Sequence, residues 1–173
     1  MGEAALFSTD LETMSHDPHL QFALETSRRM LHMFVNDLTP EERRYRICPG
    51  ANCIDWIVGH LTLTEQRFHA VFGAKSPALP EGFDKKFARD EVAPKQADYG
   101  DTSGLMKLFD EQRDITIARV SDFNSDELMV PLPNPHPRFS TLGEAAVFCA
   151  VHVTMHAGQM SMIRRMLGKP PVI

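Results

Sequence analysis

Between Thr141 and Gly168 the chain carries a helical pattern that is apolar on most of its circumference. One side reads Ala145, Cys149, His152, His156, Gln159 and Ile163, and the other reads Val147, Phe148, Val151, Met155 and Met162. A helix apolar on nearly all sides must sit at the centre of a bundle or be shared with a second subunit. Thr141-Leu142-Gly143-Glu144 forms a capping-box start, and Gly168 with Pro170-Pro171 forms a stop, so this helix is predicted to run to about Leu167. His152 and His156 lie four residues apart and therefore one above the other on the inward side. A single buried histidine is ordinarily a hydrogen-bonded core residue. Two in register would each need separate compensation for lost water, and one shared metal ion satisfies both.

The remaining chain reads as three more long helices and their connections. Asp17-Pro18 starts helix 1, predicted over 18–38, after a mixed segment of about 14 residues that is either a short helix or a loose arm. Its histidines, His19 and His32, read as solvated or rim residues. Thr39-Pro40-Glu41-Glu42 opens a charged connection with room for one helical turn, and Pro49-Gly50 breaks the chain. Asn52, with Asp55 three residues on, reads as the cap of helix 2, which ends at Phe72-Gly73. Its inward stripe is Cys53, Trp56, Ile57, His60, Leu61, Phe68 and Val71; His69 is placed at the rim, and Glu65 and Arg67 on the opposite side. Residues 74–100 read as a long crossover with a short helical piece anchored by Phe83 and Phe87, either a tolerated insertion or a lid. Asp101-Thr102-Ser103 caps helix 3, about 102–121. Pro131, Pro133, Pro135 and Pro137 are expected to forbid regular structure over 130–138 and to leave an extended strap. His136 in that strap is a loop histidine, a gate or an extra ligand. No strands and no internal repeats are expected.

Length and composition narrow the function classes. At 173 residues the chain is read as one domain with a full core. A net charge of −5 offers no basic footprint, so nucleic acid is not the expected partner. No apolar run approaches the ~20 residues that span a bilayer, and no secretory signal is recognised. Leu6 breaks the myristoylation pattern that Met1-Gly2 begins. Cys48, Cys53 and Cys149 are an odd set without paired metal spacing and read as reduced thiols of a cytoplasmic protein.

His60, His152 and His156 together give three imidazoles on the inner faces of two helices of an all-α four-helix bundle. Three neutral nitrogen donors leave positions on a divalent ion free for water or substrate, the pattern of a catalytic site. Zinc and nickel both suit imidazole. Such an ion would lower the pKa of a bound water, or convert a substrate thiol to the reactive thiolate. Gln159 and Thr64, each about one turn from a proposed ligand, are candidates to support the ligands or to touch substrate. Val153 stands where a zinc-protease helix carries its glutamate, so that chemistry is excluded. No Gly-rich phosphate loop and no serine nucleophile elbow is present.

Asn52-x3-Trp56-Ile57-Val58-Gly59-His60-Leu61, with His152-x3-His156-Ala157-Gly158-Gln159 followed by Arg164-Arg165-Met166-Leu167-Gly168-Lys169-Pro170, resembles the DinB-like family, also called the damage-inducible B or YfiT-like family. The resemblance spans most of the chain and implies an up-down-down-up bundle, often a homodimer, with a divalent ion on three histidines. Matched by motif, these are His60, His152 and His156. The same superfamily includes thiol-dependent S-transferases and maleylpyruvate isomerases that use mycothiol, bacillithiol or glutathione. The leading expectation is therefore a metal-dependent transfer of a low-molecular-weight thiol to a small electrophile. Hydrolysis by metal-activated water ranks below it, since no carboxylate flanks the histidines on their stripe. The third reading is a non-enzymatic stress-response protein braced by its metal.

Overall fold

The computed structural model describes residues 17–89 and 99–173. The expectation for the first 14 residues and the end of the crossover lie outside them. Four long helices form the bundle: α1 (Pro18–Val35), α3 (Ile54–Phe72), α5 (Leu105–Ser121) and α7 (Leu142–Met166). Short helices α2 (Pro40–Arg43), α4 (Phe83–Phe87) and α6 (Ser125–Leu128) sit in the connections, and a hairpin of β1 (Pro131–His136) and β2 (Phe139–Thr141) leads into α7.

Local chemistry sets most boundaries. Asp17 caps α1, its Oδ1 accepting the His19 N–H at 2.8 Å. Thr39 and Glu42 cap α2 reciprocally. Gly73, at φ 68°, ends α3 in the left-handed region that favours glycine. At the start of α3 the expected Asn52–Asp55 cap is not formed: Cys53 is the N-cap, without a side-chain bond. Asp55 instead turns inward, accepts the Thr102 hydroxyl at 2.6 Å and faces Arg43 and Arg44 at 3.4 and 3.6 Å. Two guanidiniums compensate a buried carboxylate better than one terminal N–H does. At α7 the Thr141 hydroxyl accepts the Glu144 N–H, but the Glu144 carboxylate takes the N–H and hydroxyl of Ser140, one residue earlier than the expected box.

The packing fixes the helix directions. Leu20 and Leu24 at the start of α1 share one core cluster with Phe68 and Phe72 at the end of α3, Val120 at the end of α5, and Ala145 at the start of α7. At the opposite pole Phe34 packs with Ile54, Leu105 and Ile163. So α1 and α7 run one way and α3 and α5 the other, the up-down-down-up arrangement. Arg164 ties the common ends of α7 and α1 by donating to the Phe34 carbonyl at 3.1 Å and to the Asp37 carboxylate.

The proline-rich strap is a strand, contrary to the expectation of no regular structure. Prolines 131, 133 and 135 recur with the strand period of two. Their missing N–H groups therefore fall on one edge, and β1 has a partner on only one side. The pairing is irregular between Pro131↔Thr141 and His136↔Phe139.

Two residues assigned to the outside of α3 are inside. Glu65 is 2 % exposed; it accepts from Arg113 Nη2 at 2.8 Å and from the Thr116 hydroxyl at 2.7 Å. The Cys149 thiol donates to the same carboxylate at 3.5 Å. His69 is fully buried, with its ring nitrogens 2.8 Å from the Ser76 hydroxyl and 2.9 Å from the Gln112 carbonyl. The helix is covered on more sides than one apolar stripe implies, because α5 packs on the flank that carries these polar groups.

α7 buries one face and leaves Val147, Val151, Met155, Met162 and Met166 exposed on the other. It is long and apolar enough to cross a membrane by length and composition alone; in this fold its inward side is core. Removing one partner of a buried ion pair strands the other charge, so Arg113→Met is expected to lower the unfolding free energy by about 3–5 kcal/mol. The double change Glu65→Leu with Arg113→Met is expected to cost much less. Urea denaturation of the three proteins checks this; a single variant as stable as the parent contradicts it.

Candidate metal centre

The site is built where α3 and α7 face each other. His60 comes from the first half of α3, and His152 and His156 from successive turns of α7. One nitrogen from each ring lies within 4.8 Å of the other two. The Nε2 atoms of His152 and His156 are 3.2 Å apart. Two nitrogens bound tetrahedrally at about 2.0–2.1 Å to one ion would be separated by roughly 3.3 Å. All three predicted histidines are thus brought together.

Hydrogen bonds select the nitrogens that face inward. The Phe87 carbonyl can only accept, so the Nδ1–H of His60 donates to it at 3.1 Å and leaves Nε2 with a free lone pair. Gln159 Oε1 accepts from Nδ1 of His156 at 2.9 Å, which likewise frees Nε2. Gln159, expected either to support a ligand or to touch substrate, is hydrogen-bonded to the His156 ring. Thr64 lies on the wall of the adjoining cavity, and its hydroxyl donates to the His60 backbone carbonyl at 2.8 Å rather than to a ring. The Trp56 indole lies flat on His60, with ring centroids 4.9 Å apart and planes 5° from parallel.

Electrostatics keep the rings neutral. Burial is the main cause: it pushes His60 down to about 4 and His152 to about 3, and it also lowers His156. Positive charge on Arg67 and Arg89 lowers His60 further, and Arg138 does the same for His152. At neutral pH the rings therefore present lone pairs, the form a metal ion binds. The Nε2 atoms of His60 and His156, freed by the bonds at their outer nitrogens, and that of His152, 3.2 Å from His156 Nε2, form a donor set that suits a cation.

One glycine makes the arrangement possible. A Cβ on Gly59 would lie 2.3 Å from the Phe87 ring. Its absence lets α4 lie directly on α3, with Phe87 packed on Phe83 and stacked on Tyr99. That contact delivers the Phe87 carbonyl to His60. The expectation that Phe83 and Phe87 anchor the crossover holds, and both are buried.

Two cavities meet at the histidines. The larger, about 450 Å³, has His60, His152, Phe68, Phe139, Phe148 and Arg138 on its wall. The smaller, about 370 Å³, has Trp56, His156, Gln159 and Asn52 and shares His60, His152, Arg89 and Arg138 with the first. His136 is exposed, lines the larger cavity and stacks on Phe139 at 4.6 Å; it lies outside the three-histidine group. Arg67, expected on the side of the helix opposite His60, lines the same cavity as His60; Arg89, Arg138 and the part the hairpin plays in forming the cavity were not singled out from the sequence. His32 pairs with Asp110 at 2.9 Å and His19 is exposed, so both lie away from the centre.

The family model of the DinB superfamily matches residues 23–160. No curated protein matches the chain. Among solved structures it is similar to YfiT from Bacillus subtilis, described as a probable metal-dependent hydrolase with an unusual four-helix bundle topology. The TM-score is 0.64 at 17% sequence identity, covering 97% of this chain and 95% of that one, so the likeness is one of fold.

Because Gly59 holds the His60 bond to Phe87, Gly59→Ala is expected to weaken zinc binding about 10- to 100-fold, as losing a partner of a ligating histidine does. Competition against a chromogenic chelator measures this, with circular dichroism as the check on folding. An unchanged affinity would mean that the carbonyl does not orient the ring.

Proposed function

The chain belongs to the DinB superfamily, and on that premise we propose that it is a metal-dependent enzyme transferring a low-molecular-weight thiol to a small electrophile. His60, His152 and His156 would hold the divalent ion, zinc or nickel by the preference of imidazole nitrogen. When bound, the ion supplies a site at which a thiol or a water loses its proton near neutral pH. The protein's own residues do the rest. Phe87 and Gln159 fix the tautomers and ring orientations of His60 and His156. Trp56 covers one face of His60, and Phe68, Phe139 and Phe148 give the larger cavity an apolar stretch of wall.

The observation that carries the transfer reading is the pair of cavities joined at the histidines. A transfer needs room for a donor and an acceptor on either side of one activating point. Hydrolysis is the second reading, favoured by the description of YfiT. It asks for a general base, and no Asp or Glu lines either cavity among the described residues. The buried Glu65 is already engaged by Arg113 and Thr116. The exposed apolar row on α7 suits the contact of a homodimer.

The test is turnover of a chromogenic aryl halide by the zinc- or nickel-loaded protein with glutathione, bacillithiol or mycothiol. A parallel reaction uses a chromogenic ester without thiol. Thiol-dependent release that falls at least 100-fold in a folded His60→Ala variant is expected. Ester cleavage without thiol, lost in the same variant, would select hydrolysis. Neither activity in the metal-loaded protein would remove both.

A further inference from the structure

The walls of the larger cavity carry a charge pattern opposite to that of the chain as a whole. The whole chain has a net charge of −5. Yet no carboxylate lines this cavity among the described residues, while three arginines do: Arg67 from α3, Arg89 after α4 and Arg138 from the turn between β1 and β2. None of the three forms an ion pair among the described residues. By contrast Arg28, Arg43, Arg44, Arg113 and Arg164 all have carboxylate partners. Three guanidiniums on one concave wall repel each other, and a shared anion relieves that repulsion. Their planar forks match a carboxylate, and low-dielectric walls strengthen the contact.

Those walls are apolar and aromatic. Phe68, Phe139 and Phe148 pack together with centroids 5.7–6.4 Å apart. The Arg138 guanidinium lies over the Phe148 ring, 5.4 Å from its centroid, so charge and aromatic surface are held side by side. A volume of about 450 Å³ admits a small aromatic or branched acid. His60 and His152 form part of the same wall.

We propose that the larger cavity binds an organic acid with an apolar body, its carboxylate held by Arg67, Arg89 and Arg138 and its body packed on Phe68, Phe139 and Phe148. This names the class of electrophile for the transfer reading and rests on that reading for the reaction, whereas the binding itself requires no metal. The smaller cavity, with Asn52 and Gln159, is left for the second reactant.

Phenylacetate and its neutral isostere phenylacetamide are suitable probes. Calorimetric titration of each into metal-free and zinc-loaded protein, and into the Arg67→Gln/Arg138→Gln double variant, tests the assignment. Phenylacetate is expected to bind metal-free protein at least 10-fold tighter than phenylacetamide. It is expected to lose at least 10-fold in the double variant, with helical signal and zinc stoichiometry unchanged. Equal binding of acid and amide overturns the proposal on the parent protein alone, even if the variant fails to fold. Absence of binding at millimolar concentration overturns it, as does acid binding that needs zinc and ignores the arginine changes. Acid binding through the arginines in a protein that takes up no zinc would uphold the cavity and sink the metal-dependent function instead.

Discussion

An imidazole set among hydrocarbon must keep its N–H satisfied and cannot readily take up a second proton. Three such rings meet at the seam between α3 and α7, and the local structure there is organised to meet that constraint. The Phe87 carbonyl accepts from His60, Gln159 accepts from His156, and Trp56 stacks on one face of His60. The rings are left neutral, and His60 and His156 keep Nε2 lone pairs on the side where the three rings meet.

The bundle topology supplies the parts. Because α3 and α5 run parallel, a long connection must return along the bundle between them, and that connection carries α4. Gly59 lets α4 settle onto α3 closely enough for a backbone carbonyl to serve a side chain. The connection from α5 to α7 folds into a hairpin whose turn and second strand put Arg138 and Phe139 on the cavity wall. The site therefore depends on both crossovers as well as on the two helices that own the histidines. Beneath it, Glu65, Arg113, Thr116 and Cys149 form a buried polar joint between α3, α5 and α7. Such a joint fixes how the helices sit against one another, and hence how far His60 lies from the α7 pair.

The four helices and the three histidines were legible from the chain because helical periodicity is a local signal. His152 and His156 share a stripe by their spacing, and His60 falls among Trp56, Ile57 and Leu61 on its own. What escaped has its cause at long range. Glu65 looks like a surface residue until Arg113, 48 positions away, packs against it. His69 is buried by Gln112 and Thr116 of α5, which no pattern within α3 announces. Asp55 reads as a cap because aspartate three residues into a helix is a common partner there; the arginines of α2 and the loop that follows take it inward. Alternate prolines were read by what they forbid, although their spacing of two spares one edge of a strand. The gathering of Arg67, Arg89 and Arg138 joins three elements and has no counterpart in any one segment.

The central claim is that the three imidazoles serve one ion. X-ray absorption at the metal edge, on protein stripped with a chelator and reloaded to saturation with zinc, tests it most directly when read with elemental stoichiometry. The account predicts one ion per chain, with three nitrogen scatterers at about 2.0–2.1 Å and the multiple-scattering signature of imidazole, reduced to two in the His60→Ala variant. A protein that retains no stoichiometric ion, or an ion whose nitrogen shell is the same with and without His60, would contradict it.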